Sequence, residues 1–452
     1  MKQLFGSERI WANAFALYAV LFGIVFLLRF PPFMSPDELN HIKRADMVGR
    51  GLLLGQRQVE GGIVRAGGPV ETSLNEVEAA YHPMEFHSNV RLNPSATADA
   101  MTVPWGSDFS WQSFENTAIY PPVFYVPSAL GLDVGKGLSL PVVQSVELAR
   151  LFNLFACALV GLFAIRLAGR ARYAIFLTLT LPMTAMLFSS VTQDGLLIAT
   201  TALGCAIVCR SLEEARAPTK AELVGGLACL VLVGMAKPPY VLFDLLLFAV
   251  PFASAGQRWK AIGIAAVPPL IWHIAIAALV EAPVLRNDGR PDIAGQLHFL
   301  LSHPVAGLMA PLNTVRHGGT ELAVQVVGVF GWLDTVLPKP YYVMAYLMMI
   351  AAAWLTWTGK PSKWLLAVVV LGVVKLCIYG ALYLSYTPVG FDHVEGIQGR
   401  YFLPVLAMVP FLLLSPAGEP SSRSRDYGRA ALLLFPLVGL ALSYHALAVR
   451  YF

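Results

Sequence analysis

Read for hydropathy alone, the chain is a train of apolar runs separated by prolines, glycines and charges. A helix needs about 20 mostly apolar residues to cross the roughly 30 Å hydrocarbon core of a bilayer. The pattern predicts eleven spans, over residues 11–30, 146–168, 172–190, 194–212, 221–236, 239–255, 260–281, 341–358, 363–385, 401–416 and 429–449. The first run stops at Pro31-Pro32 and opens into residues 31–145, a stretch too long to be a mere connection. Its Gly61-Gly62 and Gly67-Gly68-Pro69 turns, its acids and its aromatics break up any single long element. Trp111, Tyr120 and Tyr125 suit an interfacial belt or a platform on which a sugar stacks.

Composition agrees with a multipass membrane protein. Of 452 residues 56 % are hydrophobic and 13 % charged, with a mean hydropathy of +0.62, whereas soluble domains carry about 25 % charged residues. The fold class expected is therefore all-α and polytopic. The net charge of +4 matters through where the bases fall. With the N-terminus in the cytoplasm, Arg166, Arg170 and Arg172, then Arg210, Arg216 and Lys220, then Arg258 and Lys260, then Lys360 and Lys363, then Arg423, Arg425 and Arg429 all lie inside. That is the distribution the positive-inside rule asks for. It requires the weak segment to split at Lys237-Pro238-Pro239-Tyr240, and an odd span count places the C-terminus outside. Lys2 and Arg9 precede an apolar run with no clear small-residue cleavage site, which reads as an uncleaved signal anchor.

Several chemistries are disfavoured. No basic tract suggests nucleic acid. Cys157, Cys205, Cys209, Cys229 and Cys377 lie inside apolar runs and read as small buried hydrophobes. His82 and His87 have no recognised zinc spacing and read as loop histidines. There is no phosphate-binding glycine loop, dinucleotide fingerprint or nucleophile elbow, and the short basic loops leave nucleotides no obvious place to bind.

Polar residues instead interrupt the apolar sequence on the side assigned as external. In Ser35-Pro36-Asp37-Glu38-Leu39-Asn40-His41-Ile42-Lys43-Arg44, helical spacing from Asp37 carries His41 and Arg44 to one side, so an acid, an imidazole and a cation can face one point. The same residues also describe an interfacial helix with a capping aspartate and a solvated charged face. Further along come Asp194 at a turn between spans, where it can cap the next helix, and Lys237, an intramembrane cation or a snorkelling one. Asp334 follows beside Trp332, and Arg400 with Gln398 and Tyr401 stands at the mouth of a span. An arginine there can fork onto phosphate oxygens.

At these positions the chain resembles the bacterial membrane family catalogued as domain of unknown function 2142, which is similar to the GT-C class of polytopic glycosyltransferases. The motifs are Ser35-Pro36-Asp37-Glu38 with His41 and Arg44, Tyr120-Pro121-Pro122, Ser190-Val191-Thr192-Gln193-Asp194-Gly195, Lys237-Pro238-Pro239-Tyr240, Gly331-Trp332-Leu333-Asp334 and Gln398-Gly399-Arg400-Tyr401-Phe402. The resemblance implies a signal-anchor helix over residues 1–30, an extracytoplasmic loop with interfacial helices over 31–145, a transmembrane module over 146–340 and C-terminal transmembrane helices over 341–452. It implies a place in the bacterial inner membrane. It also implies transfer of a sugar from a polyprenyl-phosphate donor to an envelope glycan or lipid at the outer face, among membrane lipids. Asp37, or else Glu38, would act as base; Arg400 and Lys237 would hold the leaving phosphate; His41, Asp194 and Gln398 would orient the sugar or the acid. Arg44, Tyr120, Asp334 and Tyr401 complete the expected substrate site. Some enzymes of that class use a divalent metal, Mg or Mn, which Asp37, Glu38 and Asp194 could hold. The rival expectations are a polysaccharide polymerase or ligase using lipid-linked oligosaccharide, and a transporter of a lipid-linked glycan.

Overall fold

A computed structural model describes residues 7–283, 291–359, 363–415 and 423–452. Lys2 and Lys360 lie outside the described residues, as does the side chain of Arg423. Helix α1 (Glu8–Arg29) is 22 residues long and ends where Phe30 turns extended ahead of Pro31 and Pro32. After a tight turn comes α2 (Glu38–Gly49), which is buried over most of its length.

The stretch expected to hold interfacial helices is partly sheet. Strands β1 (Gln56–Glu60), β2 (Ile63–Glu71) and β3 (Phe109–Ser113) form an antiparallel sheet in the order β1-β2-β3. Gly61 and Gly62, both at positive φ, make the β1–β2 hairpin turn, and at Gly67 a Cβ would meet the Gln112 carbonyl oxygen at 1.9 Å. The fold is thus mostly helical rather than all-α. Helix α3 (Val126–Gly137) packs on α2 and on α4 (Val142–Leu167).

Next come α5 (Arg172–Thr180) and α6 (Pro182–Phe188), which meet at a bend of 71° where Pro182 denies the helix a donor. Helix α7 (Gln193–Glu213) and α8 (Lys220–Ala236) lead to a 3-10 segment, Pro238–Ala249, and α9 (Ala255–Leu279). Helices α10 (Ile293–Ser302), α11 (Pro304–Val327), α12 (Lys339–Thr356), α13 (Trp364–Ser385) and α14 (Arg423–Tyr451) complete the set.

Among the described residues six helices are long and apolar enough to cross a membrane, seven if the bent α5–α6 pair is one span. Eleven is therefore corrected to six or seven. Four expected spans fall away for local reasons. Helix α8 has 17 residues and the 3-10 segment 12; α12 opens with Lys339, Pro340 and two tyrosines that dilute its apolar run. The expected span over 401–416 is broken by Pro404 and Pro410 into Gly399–Phe402, Leu403–Ala407 and Val409–Leu412. Helix α8 does end at Lys237, but neither Lys220–Ala236 nor Pro238–Ala249 is among the six or seven candidate spans, so the two spans expected to meet there are not found.

The two ends of the bundle differ. At one, Arg172 pairs with Glu8 at 3.6 Å, the Arg170 amide donates to Glu213 and the Arg216 guanidinium grips Glu222 at 2.6 and 2.7 Å. At the other lie the sheet, α2 and the C-terminus, where the Leu92 amide donates to the Tyr451 carbonyl. Helix α14 runs against α1, with Tyr18 donating to the Leu433 carbonyl at 2.7 Å and Arg29 to the Tyr444 hydroxyl at 2.9 Å. A membrane-impermeant maleimide applied to intact cells should therefore label only one of Glu60→Cys and Ala217→Cys, which sit at opposite ends of α1, α4 and α7. Labelling of both from the same side would contradict this bundle.

Candidate active site

The site begins with the turn between α1 and α2. Phe33 and Asp37 both take left-handed backbone, at φ 69° and 64°; aspartate is among the few L residues that tolerate it. This conformation at the N-cap of α2 sends the carboxyls of consecutive residues in different directions. Glu38 points inward and is wholly buried. It receives Arg150 of α4 bidentately, Nε to Oε1 at 2.8 Å and Nη2 to Oε2 at 2.5 Å, and the Val191 amide at 2.9 Å. Arg150 also donates to the carbonyls of Phe30 and Pro31 at 2.9 and 3.0 Å.

Asp37 points the other way and keeps 31 % of its side chain exposed. Its Oδ1 accepts from Asn116 at 2.9 Å and its Oδ2 from Arg400 Nη2 at 2.9 Å. From Arg400 the charges alternate inward. Arg400 Nε lies 3.5 Å from Asp194 Oδ2, Lys237 Nζ lies 3.3 Å from Asp194 Oδ1, and the Lys237 ammonium stands 4.1 Å above the Tyr401 ring. Two carboxylates and two cations so compensate one another, with Arg400 4 % and Asp194 7 % exposed. Asp194 also occupies the first turn of α7, where the helix dipole favours an anion.

His41 packs behind this row. Its Nδ1 is 2.6 Å from the Tyr125 hydroxyl, its Nε2 3.5 Å from Thr192 Oγ1, and its ring stacks on Tyr120 at 6.1 Å. Burial pulls its pKa down to about 4, outweighing the opposing pull of Asp37 and Asp194. The imidazole is therefore neutral at ordinary pH. Burial likewise pushes the Tyr120 and Tyr125 phenols well above their usual value.

Two cavities meet at this row. One of about 500 Å³ is lined by Asp37, Asn116, Tyr120, Gln398 and Tyr401. The second, about 390 Å³, is mostly apolar, with Lys237, Pro239, Ile276 and Ile378 in its wall. Tyr120 and Tyr401 belong to both. A buried Gln398 Oε1 has no hydrogen-bond partner.

The fold thus gathers Asp37, His41, Tyr120, Asp194, Lys237, Gln398, Arg400 and Tyr401 from five places in the sequence. Three other expected residues lie elsewhere. Glu38 is committed to Arg150 and reaches neither cavity. Arg44 does not share a point with Asp37: its guanidinium donates to the carbonyls of Leu52, Leu53 and Tyr120 at 3.1, 2.5 and 3.1 Å, closing the loop on itself. Asp334 receives Arg450 at 2.9 and 3.1 Å, in a clasp that also takes the Met84, His87 and Val90 carbonyls.

Asn116 and Arg150 were not singled out from the sequence. Arg150 carried a usable signal, since an arginine inside an apolar span needs a partner; Asn116 carried none. The acids expected to hold a divalent metal do not fit one, because Asp37 and Asp194 are both engaged by cations and Glu38 is enclosed. Glu78, His82 and Glu85 instead bring three ligand atoms within 4.8 Å of one another, with His82 Nδ1 3.0 and 3.1 Å from the two carboxylates.

The family model described as "Predicted membrane protein (DUF2142)" matches residues 20–409. No curated protein and no solved structure matches the chain.

Glu38→Gln strips the buried Arg150 of its bidentate carboxylate, leaving only Glu147 at 3.4 Å, and should cost about 3–5 kcal/mol, read as a lowered unfolding temperature in detergent. Asp37→Asn should leave that temperature near wild type. Stability should also fall with pH between 6.5 and 4, where the unfolded chain protonates His41 and the folded one does not. The loss attributable to His41 is up to about 3 kcal/mol, and His41→Gln should flatten the profile over that window.

Proposed function

The chain belongs to the DUF2142 family of predicted membrane proteins, and we propose that it is an inverting glycosyltransferase of the GT-C kind using a sugar carried on polyprenyl phosphate. The observation that carries this reading is the junction of the two cavities. Lys237 lines the apolar cavity and Asp37 the polar one, and Arg400, only 4 % exposed, joins Asp37 to Asp194 and so to Lys237. A lipid-linked sugar has the same order of parts: an apolar chain, an anionic phosphate and a hydroxylated ring.

The charge balance gives this order a mechanism. With two acids on two cations, an arriving phosphate must displace a carboxylate from Arg400. Asp37 is the one that yields, being the more exposed and the less enclosed by the cluster. Donor binding so frees Asp37 from its counter-ion at the moment a base is needed. Asp37 takes the proton of the acceptor hydroxyl as that oxygen bonds to the anomeric carbon. The bond from carbon to phosphate oxygen breaks, and Arg400 and Lys237 receive the charge of the departing lipid phosphate. Asn116 keeps the Asp37 carboxyl oriented, and Tyr120, backed by the buried His41 ring, lines the chamber as a surface on which a sugar ring can stack. In this reading the reaction runs at the extracytoplasmic face, with the end of the bundle that carries Arg172 and Arg216 turned to the cytoplasm in keeping with the positive-inside pattern.

Purified protein in nanodiscs, given radiolabelled polyprenyl-monophosphate sugars with extracted envelope glycans and lipids, should move label to an acceptor. Asp37→Asn should lower the rate by about 10²–10⁴-fold, and Arg400→Ala should raise the KM for donor as well. Extension or ligation of lipid-linked oligosaccharide in place of single-sugar transfer would favour the polymerase or ligase reading instead.

A further inference from the structure

A third cavity, of about 710 Å³, lies beside the polar one and takes no part in the scheme above. One wall is a face of α11, where Thr314, His317, Gly318, Glu321 and Gln325 recur at helical spacing; the other is the segment from Asp392 to Ile397. Tyr386 and Gly396 line both this groove and the Asp37 chamber. Their packing is close: Gly396 sits at φ 72°, and a Cβ there would meet the Tyr386 ring at 2.5 Å. Gln325 ties the groove floor to the site, donating to Glu321 at 3.2 Å and accepting from the amide of Gly399, the residue before Arg400, at 2.8 Å.

The lining is acidic and rich in acceptors. Glu321, Asp392 and Glu395 supply carboxylates, with His393 Nδ1 2.7 Å from Asp392. Such a set accepts hydrogen bonds from hydroxyl or ammonium groups and repels anions. Its size is in the range of ligand clefts, about 300–1,000 Å³. On the N-terminal half of α11 the exposed side chains are apolar, Leu308 at 75 % and Leu312 at 60 %. Further along α11 this exposed apolar stripe gives way to His317 and Glu321, so the groove opens beside an apolar surface.

We propose that this groove is the acceptor subsite, and that it takes an uncharged or amino-bearing glycan in preference to one bearing uronates or phosphates. The inference rests on the glycosyltransferase reading for its role but not for its binding. A glycan lying along α11 passes the Tyr386–Gly396 wall and brings its terminal hydroxyl into the chamber that holds Asp37.

The test measures both. Fluorescent oligosaccharides, one neutral, one amino-bearing and one uronate-bearing, are titrated by anisotropy into nanodisc-held wild type, Glu321→Gln, Gly318→Trp and Asp37→Asn, and the same oligosaccharides serve as acceptors in the transfer assay. Gly318 has nothing within 4 Å of a built Cβ, so the tryptophan fills the groove without disturbing the packing behind it. The expected result is binding of the neutral and amino-bearing probes, weakened about tenfold or more by Glu321→Gln and Gly318→Trp, kept in Asp37→Asn, with the acceptor KM raised and the donor KM unchanged. Tight binding of the uronate probe, or neutral-probe binding untouched by Gly318→Trp, overturns the subsite. Groove-dependent binding by a wild type that transfers no sugar upholds the subsite and overturns the transferase reading alone.

Discussion

The enclosed pair of Glu38 and Arg150 is the interaction on which the rest of this architecture hangs. Arg150 stands in the first half of α4, among residues that otherwise pack in an apolar core, and its guanidinium is fully buried. Its donors go to Glu38, to the two carbonyls that end α1, and thereby to the turn that starts α2. Glu38 in turn accepts the Val191 amide between α6 and α7. One ion pair therefore fixes the relative position of four helices. Such a pair contributes little net stability over a well-packed apolar substitute, because desolvating two charges nearly cancels their attraction. What it contributes is register: any other packing of α1, α4 and α7 strands a charge in a medium that cannot solvate it.

That register sets where Asp37 points. Two consecutive acids in a regular helix lie about 100° apart on its surface; here the left-handed backbone at Asp37 separates them further, and their environments diverge accordingly. One is neutralised inside the protein and the other keeps a solvent-facing edge. Asp37 is then met by Arg400, which arrives from a glycine-led 3-10 turn more than three hundred residues downstream and whose own position is braced through Gly399 by Gln325 of α11. The row Asp37, Arg400, Asp194, Lys237 is balanced only while it is empty of ligand. An anion bound to it must take a cation from one of its acids, which couples occupancy of the site to the state of its proposed base.

How much of this the sequence disclosed follows from what kind of signal each part carries. Apolar runs longer than about 18 residues announce themselves, and α1, α4, α7, α9, α13 and α14 lie within a few residues of expectation. Proline-punctuated runs do not, because hydropathy counts residues and not hydrogen bonds; the same apolar content gives a bent pair at Pro182 and three fragments across Pro404 and Pro410. The sheet was hidden for the opposite reason, since β1 is fully exposed and shows no alternation. In the site, isolated charges and polar residues in apolar sequence were legible one at a time, and eight of them do converge, four of them charges. Spacing on a helix was misleading for Arg44, because the three carbonyls that claim it come from residues 52, 53 and 120, a closure that helical periodicity does not encode. Asp334 was legible as a charge but not as the partner of Arg450, 116 residues away near the end of the chain.

The position of the two tyrosines between the cavities draws these features together. Tyr120 and Tyr401 each line both the apolar cavity and the polar one. A Lys237 ammonium over the Tyr401 face lacks a full water shell, and the ring's quadrupole and Asp194 replace part of that solvation. Placing a cation at the boundary of low and high dielectric makes its attraction for a phosphate far stronger than in water while leaving the phosphate's lipid on the apolar side. The same boundary disfavours a soluble phosphosugar, whose polar surface would have to enter the apolar cavity without partners. Selectivity for a membrane-borne donor, in the proposed function, is then a consequence of where the dielectric changes relative to Lys237 and Arg400, and requires no contact with the lipid beyond its first few carbons.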